Sequence, residues 1–176
     1  MTEEPETIVW QGRFVVAKTR GKWEYVSRAR NIRAAVILAV EDGHVLLVEQ
    51  FRVPLGRVCI ELPAGLIGDD DGAADESPEV AAGRELEEET GYRAARIEII
   101  GEFWSSPGMV SESFTLLRAR GLTKVGPGGG TAGEDITVHR VALGELEEFL
   151  AARRAMGNAI DVRLLTLLGP RILEGC

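Results

Sequence analysis

The stretch RELEEETGY, Arg84 to Tyr92, puts Glu85, Glu87, Glu88 and Glu89 within five positions. On a helix, Glu85, Glu88 and Glu89 stand in an i, i+3, i+4 relation and project from one face, while Glu87 points elsewhere, into solvent. Carboxylates this close repel one another. The repulsion becomes an attraction once a divalent cation sits between them, because hard cations such as Mg2+ take carboxylate oxygens together with substrate phosphates. Arg84 precedes the cluster, within reach of Glu88 one turn on or of Glu76 near the helix start, and either pairing would fix carboxylate orientation. An acidic run on a helix is more often a plain solvated face, so its surroundings must decide.

The elements that would position this cluster can be read around it. A helix begins at Ser77-Pro78, a good N-cap followed by a residue pre-shaped for the first turn, and Gly91 stands where a helix C-terminal glycine belongs. Upstream, TIVWQGRFVVAKTR and KWEYVSRAR read as strands joined at RGK; AAVILAV and HVLLVEQ form a hairpin across EDG; RVCIEL is a short strand ending in the turn PAG. Downstream, RAARIEIIGEFWSS, ESFTLLRARGL and ITVHRVAL read as strands. GPGGGTAGED is a Gly-rich loop that lacks the Gly-Lys-Ser/Thr of a phosphate-binding P-loop. Two helical patterns, GELEEFLAARRAM and IDVRLLTLLGPRIL, close the chain. The order strands, helix, strands, helices predicts an α+β or α/β/α sandwich with a mixed sheet.

The chain has 176 residues, 45% of them hydrophobic, enough for one domain with or without a small appendage. A net charge of −8 argues against sequence-independent nucleic-acid binding, which needs a Lys/Arg face, and leaves a small anionic substrate open if a metal or local arginines offset the repulsion. The longest apolar run, AAVILAV, is too short to span a bilayer, and the acidic start does not read as a signal peptide, so no membrane partner and a cytoplasmic location are expected. Cys59 reads as a buried hydrophobe and Cys176 as a frayed terminal thiol, with a disulfide between them improbable. His44 and His139, each isolated, make only a weak zinc argument.

Arg84 to Tyr92, with Glu76 eight positions before Arg84, resembles the signature of the Nudix hydrolases, G-x5-E-x7-R-E-U-x-E-E-x-G-U with U apolar or aromatic. One position departs: Asp70 stands where the first glycine belongs, and the natural glycine, Gly65 in ELPAGLI, is separated from Glu76 by ten residues instead of five, so DDDGA and its neighbours read as a loop insertion. VEQFR, ELPAG, SPG and GED occur in the order seen in the ADP-ribose pyrophosphatase branch, with Pro107 sixteen residues after Gly91.

The resemblance implies a Nudix-type α/β/α sandwich spanning 34–176, preceded by an N-terminal antiparallel β subdomain (1–33) that is exchanged between the subunits of a homodimer. It implies Mg2+-dependent hydrolysis, with Mn2+ as an alternative ion, of ADP-ribose or a related nucleoside diphosphate sugar to a nucleotide and a sugar phosphate. GDP-mannose, another nucleotide sugar or a dinucleoside polyphosphate are the alternative substrates, and a catalytically silent ligand sensor the alternative class. Glu85 and Glu89 would be metal ligands, with Glu88 as ligand or water-positioner, Arg84 beside them and the Ala64 carbonyl completing the sphere. Glu134 on the Gly-rich loop would be the general base, with Asp135 as its neighbouring candidate. Arg52 would clamp phosphate, with a surface salt bridge as its equal alternative, and Pro107, Gly108 and Glu112 would meet substrate. Trp10, Trp23, Phe51 and Trp104 are candidates to stack on the base, or else core.

Overall fold

The computed structural model describes residues 4–29, 32–68, 76–131 and 133–174. Asp70, most of the inserted loop and Cys176 lie outside these residues.

Three antiparallel strands, β1 (Glu6–Gln11), β2 (Val15–Arg20) and β3 (Trp23–Arg28), form a separate sheet. The stretch expected as one long strand breaks at Gly12–Phe14, and β1 turns back on β2 there. This small sheet rests on the loop between β8 (Tyr92–Trp104) and β9 (Ser113–Lys124). Val26 N–H donates to Met109 O at 3.0 Å, Ser111 N–H donates to Val26 O at 3.0 Å, and Arg28 pairs with Glu112 at 2.5 Å.

The main sheet is mixed. It orders β11 (Ala159–Ile160), β6 (Arg57–Glu61), β5 (His44–Arg52), β4 (Arg33–Glu41), β9 and β8, with β10 (Thr137–Ala142) beside β5 and β7 (Ala64–Ile67) beside β4. Side chains alternate across β4, β5 and β9 with the period of two that a strand imposes. Ala35, Ile37, Ala39, Leu46, Leu117 and Ala119 pack against Ala81, Ala82 and Leu86 of helix α1 (Pro78–Thr90). Val36, Val45, Leu47 and Leu116 pack the other way, against Leu146 and Leu150 of α2 (Leu146–Ala155) and Leu164 ahead of α3 (Leu165–Leu173). The result is the expected α/β/α sandwich.

Two features of this sheet prepare the site. Strands β4 and β5 pair only beside their turn, at Val40↔Val45 and Glu41↔His44, and then part company. The chain crosses the gap at Leu62–Pro63 to enter β7, and Pro63 O accepts from Ile37 N–H at 2.8 Å. The expected PAG turn is therefore corrected: Ala64 and Gly65 already belong to a strand, paired with Val36 and Ala35. A backbone pairing to β4, twenty-eight positions earlier in the case of Ala64↔Val36, overrides the local turn signal of Pro and Gly.

Candidate active site

Helix α1 forms as its ends dictate. Ser77 accepts from Val80 N–H at 3.3 Å, Pro78 opens the first turn, and Gly91 takes the left-handed conformation (φ 70°) while its N–H caps Glu87 O. The buried stripe of Ala81, Ala82 and Leu86 fixes the helix's rotation on the sheet, and that rotation turns Glu85 and Glu89 toward β7. Gly65 makes the approach possible: a Cβ there would stand 1.9 Å from Glu85 Cδ.

The two carboxylates enter a cleft of about 760 Å³ that also takes Arg52, Ala64, Arg84, Glu112 and Glu134. Glu89 is only 4% exposed and accepts from Ala64 N–H at 3.0 Å. Burial pushes its carboxyl up to about 8, against the Ala64 hydrogen bond, with the charges of Glu85 and Glu134 adding to the rise. Burial also raises Glu85, against the opposing pull of Arg84. Arg84 binds Glu85 at 2.9 Å, Glu88 at 3.3 Å and Glu76 at 3.5 Å. Burial works against its charge, but Glu85 and Glu76 more than offset it, so its guanidinium is held protonated. Both pairings expected for Arg84 are thus present, and it spans the cluster. Glu88 does not line the cleft and is tied to it through Arg84. Glu87 faces away and pairs with Arg93 at 2.8 Å.

The Gly-rich loop docks on the end of the same helix. Gly129 N–H donates to Glu89 O at 2.8 Å and Gly130 N–H to Glu88 O at 3.0 Å, so the loop satisfies carbonyls that the helix leaves open. The backbones touch so closely that a Cβ on Gly128 would meet Thr90 C at 2.4 Å. Glu134 reaches the cleft from this loop, and its Oε2 accepts from Thr131 N–H at 2.9 Å and Thr131 Oγ1 at 3.1 Å.

Arg52 lines the cleft and also makes a salt bridge: its Nε and Nη2 donate to the two oxygens of Glu61 at 2.6 and 2.7 Å. Glu61, which sequence reasoning passed over, is 2% exposed; the signal was a lone acid inside the apolar run VCIEL. Pro107 and Gly108 line a neighbouring cleft of about 690 Å³ with Trp23, Tyr25 and Trp104, and the Arg28–Glu112 pair borders both clefts. Trp10, Trp23, Phe51 and Trp104 are each more than half exposed, so none is core. Cys59 is the buried hydrophobe expected; burial pushes its thiol up to about 12.

The donor set suits a hard cation: buried carboxylates beside the start of β7 and an excess of negative charge in the cleft. Among the described residues no three His, Cys, Asp or Glu side chains already stand in metal-binding geometry, because Arg84 and Ala64 N–H engage the carboxylates instead. A cation would compete with these partners.

A family model described as the NUDIX domain matches residues 29–161. The chain belongs to the Nudix family. Over 165 residues, 89% of the chain and 80% of the relative, this Nudix protein is 36% identical to the GDP-mannose pyrophosphatase of Cronobacter sakazakii. It is 40% identical over 89 residues to the ADP-ribose pyrophosphatase of Bacillus subtilis, a match covering 51% of the chain and 45% of that enzyme. The crystal structure of an ADP compounds hydrolase superposes with a TM-score of 0.68 over 97% of this chain and 92% of its own, at 23% identity, and shares the Nudix fold.

Proposed function

We propose that this Nudix protein hydrolyses the pyrophosphate bond of ADP-ribose or a related nucleoside diphosphate sugar, releasing a nucleoside monophosphate and a sugar phosphate. One observation carries the reading: Glu85, Glu89, Ala64, Arg52 and Glu134 come from four separate stretches of sequence into one charged cleft. The names of the Bacillus and Cronobacter relatives support this substrate class.

Glu85, Glu89 and the Ala64 carbonyl would hold Mg2+ or Mn2+, with Glu88 as a further ligand or water-positioner. The bound ion would supply charge neutralisation on the phosphate oxygens and a water of lowered pKa. Arg84 orients the carboxylates it bridges. Arg52 presents its guanidinium to the diphosphate. Glu134 accepts the proton of the attacking water, and to do so its carboxylate leaves Thr131 and turns into the cleft. Pro107, Gly108 and Glu112 shape the end of the substrate channel where the two clefts meet.

A homodimer belongs to this reading. Ile8, Val9 and Trp10 of β1, with Phe14, Trp23, Ile99, Phe103 and Trp104, stand exposed on the N-terminal sheet and β8, apolar side chains that a second subunit would cover. Residues 1–33 would act there as an appendage to the domain 34–176. Light scattering on the eluting protein should give twice the chain mass; a monomer would remove this part of the proposal. No helix among the described residues is long and apolar enough to cross a membrane. The buried free thiol of Cys59 suits a reducing, cytoplasmic compartment.

The deciding experiment incubates the protein with ADP-ribose, GDP-mannose and other nucleoside diphosphate sugars, with Mg2+ and with Mn2+, and follows nucleotide release by chromatography. Metal-dependent AMP from ADP-ribose is expected. Release of GMP from GDP-mannose alone would move the substrate to the Cronobacter relative's. Release from none of them sinks the enzyme reading.

A further inference from the structure

The cleft holds a second charged group that the roles above leave unexplained. Glu61, at the end of β6, accepts from Arg52 and also from Arg163 Nη2 at 3.2 Å. Arg163 is in turn gripped by Asp161, Nε to Oδ1 at 2.6 Å and Nη2 to Oδ2 at 2.7 Å. The two-residue strand β11 makes this possible. It runs parallel to β6 in the register Ala159↔Cys59 and Ile160↔Ile60, Asp161 N–H donates to Ile60 O at 3.0 Å, and the next residues land beside Glu61. The Arg163 guanidinium also lies over the Phe114 ring, 5.9 Å from its centre. All four charged residues line the cleft.

A single bidentate arginine already neutralises Glu61. A second arginine that brings its own carboxylate adds no net charge; what it adds is oriented N–H donors. Arg52 and Arg163 both spend Nε and Nη2 on carboxylates, and among the described residues the Nη1 group of each takes no protein acceptor. A guanidinium offers five N–H donors in one plane, so with their Nε/Nη2 sides held by Glu61 and Asp161 the two arginines each leave Nη1 to offer to the oxygens of a diphosphate.

We propose that Arg163 is a second phosphate-binding residue, paired with Arg52 across Glu61 and contacting the substrate's diphosphate through Nη1. The proposal deepens the pyrophosphatase reading and rests on it for the identity of the substrate. Glu61 and Asp161 are positioning residues: they hold the forks and do not touch substrate.

The test uses the full chain with Arg163→Gln, which keeps an amide donor for Asp161, and Arg163→Lys, which keeps the charge and loses the fork. Binding of inorganic pyrophosphate in the presence of Mg2+, measured by calorimetry, should weaken about tenfold or more in Arg163→Gln, the loss expected for a charged hydrogen bond. Arg163→Lys should fall between it and the wild type. With the best nucleoside diphosphate sugar, KM should rise in step while kcat stays within about threefold, since the contact is made before the chemistry. A purely structural role would lower the unfolding temperature and leave KM and pyrophosphate affinity alike unchanged in whichever variant folds; that result, or a wild type that binds no pyrophosphate, overturns the proposal. Arg163-dependent pyrophosphate binding without turnover of any sugar nucleotide would instead leave this inference standing and remove the reading beneath it.

Discussion

Two faces of α1 carry the same residue type to opposite ends. Glu89 is buried against β7, and burial pushes its carboxyl up to about 8. Glu87, two residues earlier on the exposed face, is lowered by its hydrogen bond to Arg93. Sequence neighbours of identical chemistry thus become a buried carboxyl that holds its proton and an ordinary surface ion pair. The helix's rotation makes the difference, and that rotation is set by Ala81, Ala82 and Leu86, residues with no chemistry of their own. What sets Glu89, the proposed metal ligand, apart from Glu87 is its burial rather than its acidity.

The comparison breaks most visibly when the inner face loses a charge. Glu85→Gln and Glu89→Gln should each lower kcat by about a thousandfold or more, because the several kcal/mol of charge stabilisation supplied by a bound ion depends on both. Circular dichroism should show both variants folded, and metal-free Glu89→Gln should unfold no lower than wild type, since a neutral amide replaces a buried carboxylate. Turnover within about tenfold of wild type in both would put the ion elsewhere.

Glu134 comes next. It reaches the same cleft from an exposed loop whose backbone is bonded to the carbonyls of Glu88 and Glu89. Glu134→Gln should cost roughly a hundredfold in kcat, the usual worth of a general base, while Mg2+ affinity measured by calorimetry stays close to wild type. A matching fall in metal affinity would make Glu134 a ligand instead.

The raised carboxyl of Glu89 fixes the sign of a third effect. In metal-free protein the folded state keeps the Glu89 proton up to about 8, whereas the unfolded chain releases it near the ordinary 4.5. Between these values the folded state binds more protons, so this contribution to stability is full below about 4.5 and is lost as pH rises through about 8. Urea unfolding should therefore show metal-free stability falling from about pH 5 to about pH 8, on the order of a few kcal/mol at most. Mg2+ binds the deprotonated form and should stabilise more strongly at the higher pH. A slope that persists in Glu89→Gln would assign it to other groups.

The inner face was legible in the sequence because its determinants are local. Ser77, Pro78 and Gly91 mark the helix ends, and the i, i+3, i+4 spacing picks out Glu85 and Glu89. Glu88 shares the stripe as the spacing predicts: Arg84 Nη1 donates both to Glu85 Oε1 at 2.9 Å and to Glu88 Oε2 at 3.3 Å. What stayed hidden depends on pairings between distant stretches. Strand β7 exists through β4, β11 through β6, and the Arg52–Glu61–Arg163–Asp161 group through both the β5–β6 register and the chain's C-terminal part. Nothing in VCIEL or AIDVRLL taken alone places Glu61 beside Arg163. The sequence likewise did not show that Trp10, Trp23, Phe51 and Trp104 stand on the surface, because side-chain type alone does not fix burial.

The smallest expected effect is the sharpest control. Glu87 lies between the inner-face glutamates in sequence and belongs to the same acidic run, so a mechanism that used the helix's overall negative charge would feel its loss as much as theirs. Its partner Arg93 is exposed, and exposed ion pairs contribute little once solvent screening and side-chain entropy are counted. Glu87→Gln should leave kcat and KM within about twofold of wild type and shift the unfolding temperature by less than Glu85→Gln or Glu89→Gln does in the presence of Mg2+. A loss of activity approaching that of Glu89→Gln would mean that the helix works as a diffuse anionic field, and the assignment of roles to its two faces would fall with it.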